Sequence, residues 1–191
     1  DHLSNSTKDG WVKNCTNNDS EQREASDIAA FYNAQGISVF VLNYRTKGLY
    51  TETTSKKIPG EYCYKQILSD GLRAVKYVRY LANKKYNEYY IKKNKIGILG
   101  YSAGGNLAAE VLTQYDFDYM SIDKNYVEDD IDLVSAKVNS AVFGYGVVDF
   151  DLNTSKSTCQ NFSKGNTTII NSFNPKTHVD ETTAPCYIWA E

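Results

Sequence analysis

Apolar positions along this chain follow two patterns, helical spacing in longer stretches and short continuous runs between them. The first patterned stretch covers residues 20–36. Ser20 offers an N-cap, Arg23 and Glu24 open the segment, and Ile28, Ala29, Phe31 and Tyr32 lie on one side of a helix. Gly36 supplies the stop, because glycine accepts the left-handed conformation that ends many helices. Ile37 to Leu42 is then apolar with a single serine, which predicts a strand covered on both faces. A polar connection over residues 43–62 turns at Pro59-Gly60. Ile67, Leu68, Leu72, Val75, Val78 and Leu81 then recur at helical spacing and predict a long helix from about Tyr64 to Asn83. Asp70 on that helix reads as a solvated or locally paired carboxylate. Residues 84–95, rich in Lys, Asn and Tyr, read as a solvated loop. A short strand follows over Lys95 to Leu99, and a helix from Ala103 to about Tyr115. Val138 to Phe143 and Tyr187 to Ala190 are the remaining strand candidates. Strands that alternate with helices in this way predict an α/β sheet.

The stretches between these elements are polar. Residues 1–19 carry no regular pattern, and residues 151–183 form a candidate cap or lid segment. Residues 116–135 are acidic, but they lack the ligand spacing and central glycine of a calcium loop, so a solvated excursion is expected there. The chain has 191 residues and shows no internal repeat or linker, which suits one domain over residues 1–191.

The chemistry-bearing stretch is Gly100-Tyr101-Ser102-Ala103-Gly104, set between the Lys95–Leu99 strand and the Ala103 helix. A Gly-x-Ser-x-Gly sequence in a strand-to-helix turn is a nucleophile elbow. The turn is sharp, places the serine in strained backbone and projects its hydroxyl off the sheet edge. Small residues are needed close by, where a Cβ would clash. The N–H of Ala103 at the helix start is aimed to hold a developing oxyanion. The plainer alternative is an ordinary glycine-rich turn.

Composition narrows the partners. Hydrophobic residues make up 41% and charged residues 23%, the balance of a globular chain. A net charge of -2 gives no reason to expect nucleic acid, and no apolar run approaches the ~20 residues of a membrane span. Cys15, Cys63, Cys159 and Cys186 lack zinc-ligand spacing, and no metal site or cofactor is expected; Cys186 reads as a small core residue. Sequons at Asn5, Asn14, Asn18, Asn153, Asn161 and Asn166 fit either glycosylation or a chain rich in Asn, Ser and Thr. The compartment, cytoplasmic or secreted, and the oligomeric state are open.

A wider set of motifs resembles a known family. Ser20-Glu21-Gln22-Arg23-Glu24-Ala25, Asn33-Ala34-Gln35-Gly36, Val39-Phe40-Val41-Leu42-Asn43-Tyr44-Arg45, the elbow through Ala108, Asn174-Pro175-Lys176-Thr177-His178-Val179 and Thr182-Thr183-Ala184-Pro185-Cys186-Tyr187-Ile188-Trp189 carry it. Together they resemble the small-esterase group of the α/β-hydrolase superfamily, related to acetyl-xylan and feruloyl esterases and to hormone-sensitive-lipase-like carboxylesterases. The resemblance implies a three-layer α/β/α fold with a mostly parallel sheet, present here in part. It implies cleavage of a small-molecule or carbohydrate-linked carboxylic ester through an acyl-enzyme on Ser102, without a cofactor. Lys8-Asp9-Gly10-Trp11 is the nearest counterpart of the family's oxyanion segment, which makes a backbone N–H near Gly10 the second donor beside Ala103.

Two departures from the family pattern stand out. The strand that precedes the oxyanion segment is missing, and the family's Asp and His fall after the seventh strand, where this sequence stops at Glu191. The expectation is therefore a central portion of a longer esterase. Within the chain, a Ser102–Asp149–His178 triad has the right order. However, both substitutes match family positions that are not catalytic. Two other readings share the elbow: a relic lacking the acid and base, and a peptidase of the prolyl-oligopeptidase type.

Overall fold

A computed structural model describes residues 26–45, 60–151 and 166–190. The chain divides into two compact units, Asp1–Tyr44 and Arg45–Glu191.

In the first unit the described part is helix α1 (Ile28–Ala34) and the segment after it. Gly36 adopts φ 75°, its N–H donates to the Asn33 carbonyl, and the Ile37 N–H donates to the Tyr32 carbonyl, each at 3.0 Å. This paired closure satisfies two terminal carbonyls and needs the left-handed glycine. The Ser20 cap lies outside the described residues. The strand expected over Ile37–Leu42 is not formed. Backbone in this segment joins no sheet ladder among the described residues, and Ile37 and Phe40 are exposed. An apolar run becomes a strand only when a neighbouring strand takes up its N–H and C=O groups.

The second unit is built on helix α2 (Gly60–Lys84), the short helix α3 (Tyr86–Tyr89), strand β1 (Gly97–Tyr101), helix α4 (Ala103–Thr113), strand β2 (Ser140–Gly144), helix α5 (Thr167–Phe173) and strand β3 (Cys186–Trp189). The three strands are parallel, in the order β1-β2-β3. Gly97 pairs with Ser140 at one end, while Tyr101 pairs with Gly144, and Gly144 with Trp189, at the other. Helix α4 packs on β1 and β2, and α2 packs on α4. The α2 stripe buries Leu68, Leu72, Val75 and Leu81, as its spacing predicts, and adds Tyr64. Facing it, α4 buries Leu107, Ala108, Val111 and Leu112, and β2 buries Ala141 and Phe143.

Residues 116–135 lie mostly exposed at the surface, as expected of a solvated excursion, but the segment is fastened to α2. Arg73, Lys76 and Arg79 lie three apart on one face of α2 and hold this segment down. Arg73 pairs with Asp132 and Asp129 at 2.5 Å each, Lys76 Nζ donates to the Asp132 carbonyl at 2.7 Å, and Arg79 donates to the carbonyls of Ser135 and Lys137. The Asp132 carboxylate also accepts from Tyr119, from Tyr126 at 2.9 Å and from the Asp129 N–H at 3.0 Å. Burial alone would raise its pKa. The hydrogen bonds from Tyr119, Asp129, Arg73 and Tyr126 outweigh burial and hold it down at about 2.

Asp70 is locally paired. It accepts from the Arg45 N–H at 2.9 Å and from its guanidinium at 2.6 Å. Cys186, expected in the core, lies in β3 but is exposed; among the described residues β3 is the last strand of the sheet. Within the candidate cap, residues 152–165 lie outside the described residues. Beyond them, Asn166 caps α5 by accepting from the Thr168 and Ile169 N–H groups. Phe173 packs edge-on against Tyr64, with ring centroids 4.4 Å apart, and belongs to the core.

Candidate active site

The elbow is where β1 stops and α4 starts. The ladder bond from the Ser102 N–H to the Gly144 carbonyl, 2.9 Å, fixes the last strand residue. The carbonyl of the same residue already accepts from the Asn106 N–H at 3.0 Å, inside the helix. Ser102 sits at φ 51° and ψ -120°, outside the regions that non-glycine residues occupy freely. Its side chain is exposed and makes no capping bond, and its Oγ has no hydrogen-bond partner among the described residues.

The turn also requires close approach of backbones. A Cβ on Gly100 would overlap the carbonyl group of Gly104. The first N–H groups of α4, starting with that of Ala103, have no acceptor within the helix and lie beside Ser102 at the positive end of the helix dipole. The arrangement therefore places a hydroxyl next to donors that can bind an anionic oxygen.

The loop after β2 is fastened to this turn. Asn106 Nδ2 donates to the Val147 carbonyl at 2.8 Å, and a Cβ on Gly146 would lie 2.6 Å from the Gly105 carbonyl carbon. Tyr145 within this loop takes φ 39°. Sequence reasoning passed over Tyr145 and Asn106, since nothing in their local pattern sets them apart.

The other sequence candidates are not gathered at Ser102. Asp149 accepts from the Asp151 N–H at 2.9 Å and from Lys176 Nζ at 3.0 Å, and these bonds lower its pKa. His178 ends a 3-10 turn (Pro175–His178) and donates through Nε2 to the Ser172 carbonyl at 2.9 Å. No hydrogen bond joins Ser102 to either, so the triad that can be written from the sequence is not assembled. The physical reason is that each side chain is taken up elsewhere, Asp149 by Lys176 and the Asp151 N–H, His178 by the Ser172 carbonyl. Gly10 lies outside the described residues. Among the described residues, no three His, Cys, Asp or Glu side chains are grouped to hold a metal ion, and no helix is long and apolar enough to cross a membrane.

A second buried acid was missed from sequence. Glu110, on α4, is 1% exposed and its Oε1 has no partner. Burial pushes its pKa well above the usual carboxylate value. The signal was a lone acid inside the small apolar run of Leu107 to Leu112.

Comparison with known proteins agrees with this fold. The family described as BD-FAE matches residues 9–190. Among curated proteins, Endo-1,4-beta-xylanase B of Butyrivibrio fibrisolvens is 27% identical over 161 residues, covering 83% of this chain and 22% of the xylanase. Among solved structures, the acetyl ester-xyloside bifunctional hydrolase of Caldicellulosiruptor lactoaceticus superposes with a TM-score of 0.66 at 29% identity, covering 88% of this chain and 54% of that one. A thermophilic esterase of Thermogutta terrifontis gives 0.62 at 19% identity, covering 86% of this chain and 53% of that one, a likeness of fold. The chain thus spans about half the length of these solved structures.

Proposed function

The chain belongs to the BD-FAE family of α/β-hydrolase-fold esterases, and on that premise we propose that it carries the nucleophile of a serine hydrolase acting on carbohydrate-linked carboxylic esters. The observation that supports the reading most is the backbone of Ser102, at φ 51°, beside the free N–H groups of α4. Strain of this kind in a non-glycine residue costs about 1–3 kcal/mol and persists where function needs the side chain placed. The relatives whose names speak of xylan and xylosides point to the substrate class. In this reading residues 1–191 form one α/β-hydrolase domain.

In the proposed reaction, Ser102 Oγ attacks the ester carbonyl carbon while an imidazole takes its proton. The carbonyl oxygen becomes an oxyanion held by the Ala103 N–H. Loss of one such donor costs about 10²–10³ in kcat. The alcohol leaves with the proton from the imidazole, and water then releases the acyl group from Ser102. No metal or organic cofactor takes part.

One observation favours a second reading. Ser102 Oγ has no hydrogen bond to an imidazole among the described residues, which suits an α/β-hydrolase domain whose serine is not activated. Hydrolysis of 4-nitrophenyl acetate and of acetylated xylo-oligosaccharide separates the two. The esterase reading expects turnover that falls to the uncatalysed rate in Ser102→Ala. Equal rates for both proteins contradict it. Cleavage of dipeptide anilides in preference to acetates would point to the peptidase alternative.

A further inference from the structure

We propose that Tyr145, flanked by Tyr101 and Trp189, is a specificity-determining residue of this site, forming a wall on which the pyranose ring that bears the ester stacks. The proposal rests on the esterase reading and deepens it by naming the group the site selects.

The register carries the first part of the argument. Tyr101 pairs with Gly144 and Gly144 with Trp189, so Ser102 and Tyr145 occupy equivalent positions, one residue beyond the paired ends of β1 and β2. Both leave ordinary backbone space, Ser102 at φ 51° and Tyr145 at φ 39°. A bulky aromatic residue gains nothing locally from a left-handed backbone and holds it only where the surroundings over-determine it. Those surroundings are on hand. The Tyr145 N–H donates to the Trp189 carbonyl at 2.6 Å, Asn106 holds the Val147 carbonyl, and the Lys176 N–H holds the Val148 carbonyl at 3.2 Å.

The rings carry the second part. Tyr101 and Tyr145 lie 5.8 Å apart between centroids and tilted by 33°, and Tyr145 and Trp189 lie 5.9 Å apart at 74°. A Cβ on Gly144 would overlap the Tyr101 ring, so the glycine is what lets that ring lean toward its neighbour. Tyr145 and Trp189 remain 46% and 43% exposed. The row stands at the carboxyl ends of parallel strands, where open α/β sheets bind ligands, and begins one residue from Ser102.

The shape selects the ligand. An aromatic acyl group would need a slot covering both of its faces. Rings that meet at 74° make an open corner instead. Such a corner suits a ring with one apolar C–H face against the aromatics and its hydroxyls left in water.

Trp189 reports on the wall directly. The chain has two tryptophans, so Trp11→Phe leaves Trp189 as the sole indole. In that background, titration with xylotriose should change the indole emission saturably. Tyr145→Asn, which removes the ring but tolerates a left-handed backbone, should weaken binding about tenfold. Tyr145→Phe, which keeps the ring, should hold affinity within about twofold. The absence of a saturable change in the folded chain, or equal affinity in Tyr145→Asn, overturns the proposal. A response to benzoate without one to xylotriose overturns the pyranose assignment. Fluorophosphonate labelling of Ser102 is read separately. A chain that binds xylotriose at Trp189 but is not labelled retains the wall and loses the esterase reading.

Discussion

Glu110 gives the sharpest quantitative test of the packing behind the elbow. It sits on α4, the helix that Ser102 opens, and is 1% exposed with Oε1 unpartnered. Burial raises its native pKa well above the ordinary value. The native state therefore keeps a proton that the unfolded chain releases at about pH 4.3. Because the native form binds more protons between those two pKa values, stability must fall as pH rises across that interval. The slope is about 1.4 kcal/mol per pH unit for one proton, and the loss stops above the native pKa. Glu110→Gln keeps the side-chain volume and removes the ionisation. Urea unfolding of both proteins at half-unit steps from pH 4 to pH 8 reads the difference. The two should have similar stability near pH 4, and the variant should then gain on the unmutated chain at about that slope. Parallel stability curves, or a gap that opens in the opposite sense, would refute a buried, unpaired carboxyl at this position.

Two further substitutions test other parts of the unit. Asp132→Asn removes the charge opposite Arg73, which keeps Asp129, and weakens the acceptor of two phenols, and should cost about 1–3 kcal/mol in urea unfolding. The same carboxylate, lowered from 3.8 to about 2, stabilises the chain above the unfolded pKa. About 2 kcal/mol should be lost as pH falls from about 5 to 2, a loss absent from the variant. Gly100→Ala drives a methyl group into the Gly104 carbonyl, where backbone meets backbone and little can yield. It should destabilise by about 1–3 kcal/mol in urea unfolding and abolish labelling of Ser102 by an active-site probe.

What could be read from sequence was local. The elbow was legible because glycine spacing, an apolar strand and a small-residue helix fall within 14 residues, from Ile96 to Ala109. The α2 stripe was legible because one face repeats over several turns. What could not be read depends on distant partners. Asp132 looked solvated because Arg73 lies 59 residues away, and its phenol partners carried no signal of their own. Tyr145 sat in an unremarkable Gly-Tyr-Gly, and its backbone conformation is imposed by neighbouring strands. The Ile37–Leu42 run had the composition of a strand but finds no partner strand among the described residues. The candidate triad failed for a related reason. Chain order says nothing of where Asp149 and His178 spend their hydrogen bonds, and both spend them within a few residues of Lys176.

What most needs testing is the proposal that Ser102 acts as an activated nucleophile. Fluorophosphonate labelling of the chain, read by intact mass with Ser102→Ala as control, tests it most directly, since the probe reacts with an activated serine and largely ignores a resting hydroxyl. The account predicts a single adduct on the unmutated chain that is absent from the variant. A folded chain that takes up no probe, or one labelled equally in both forms, would contradict it.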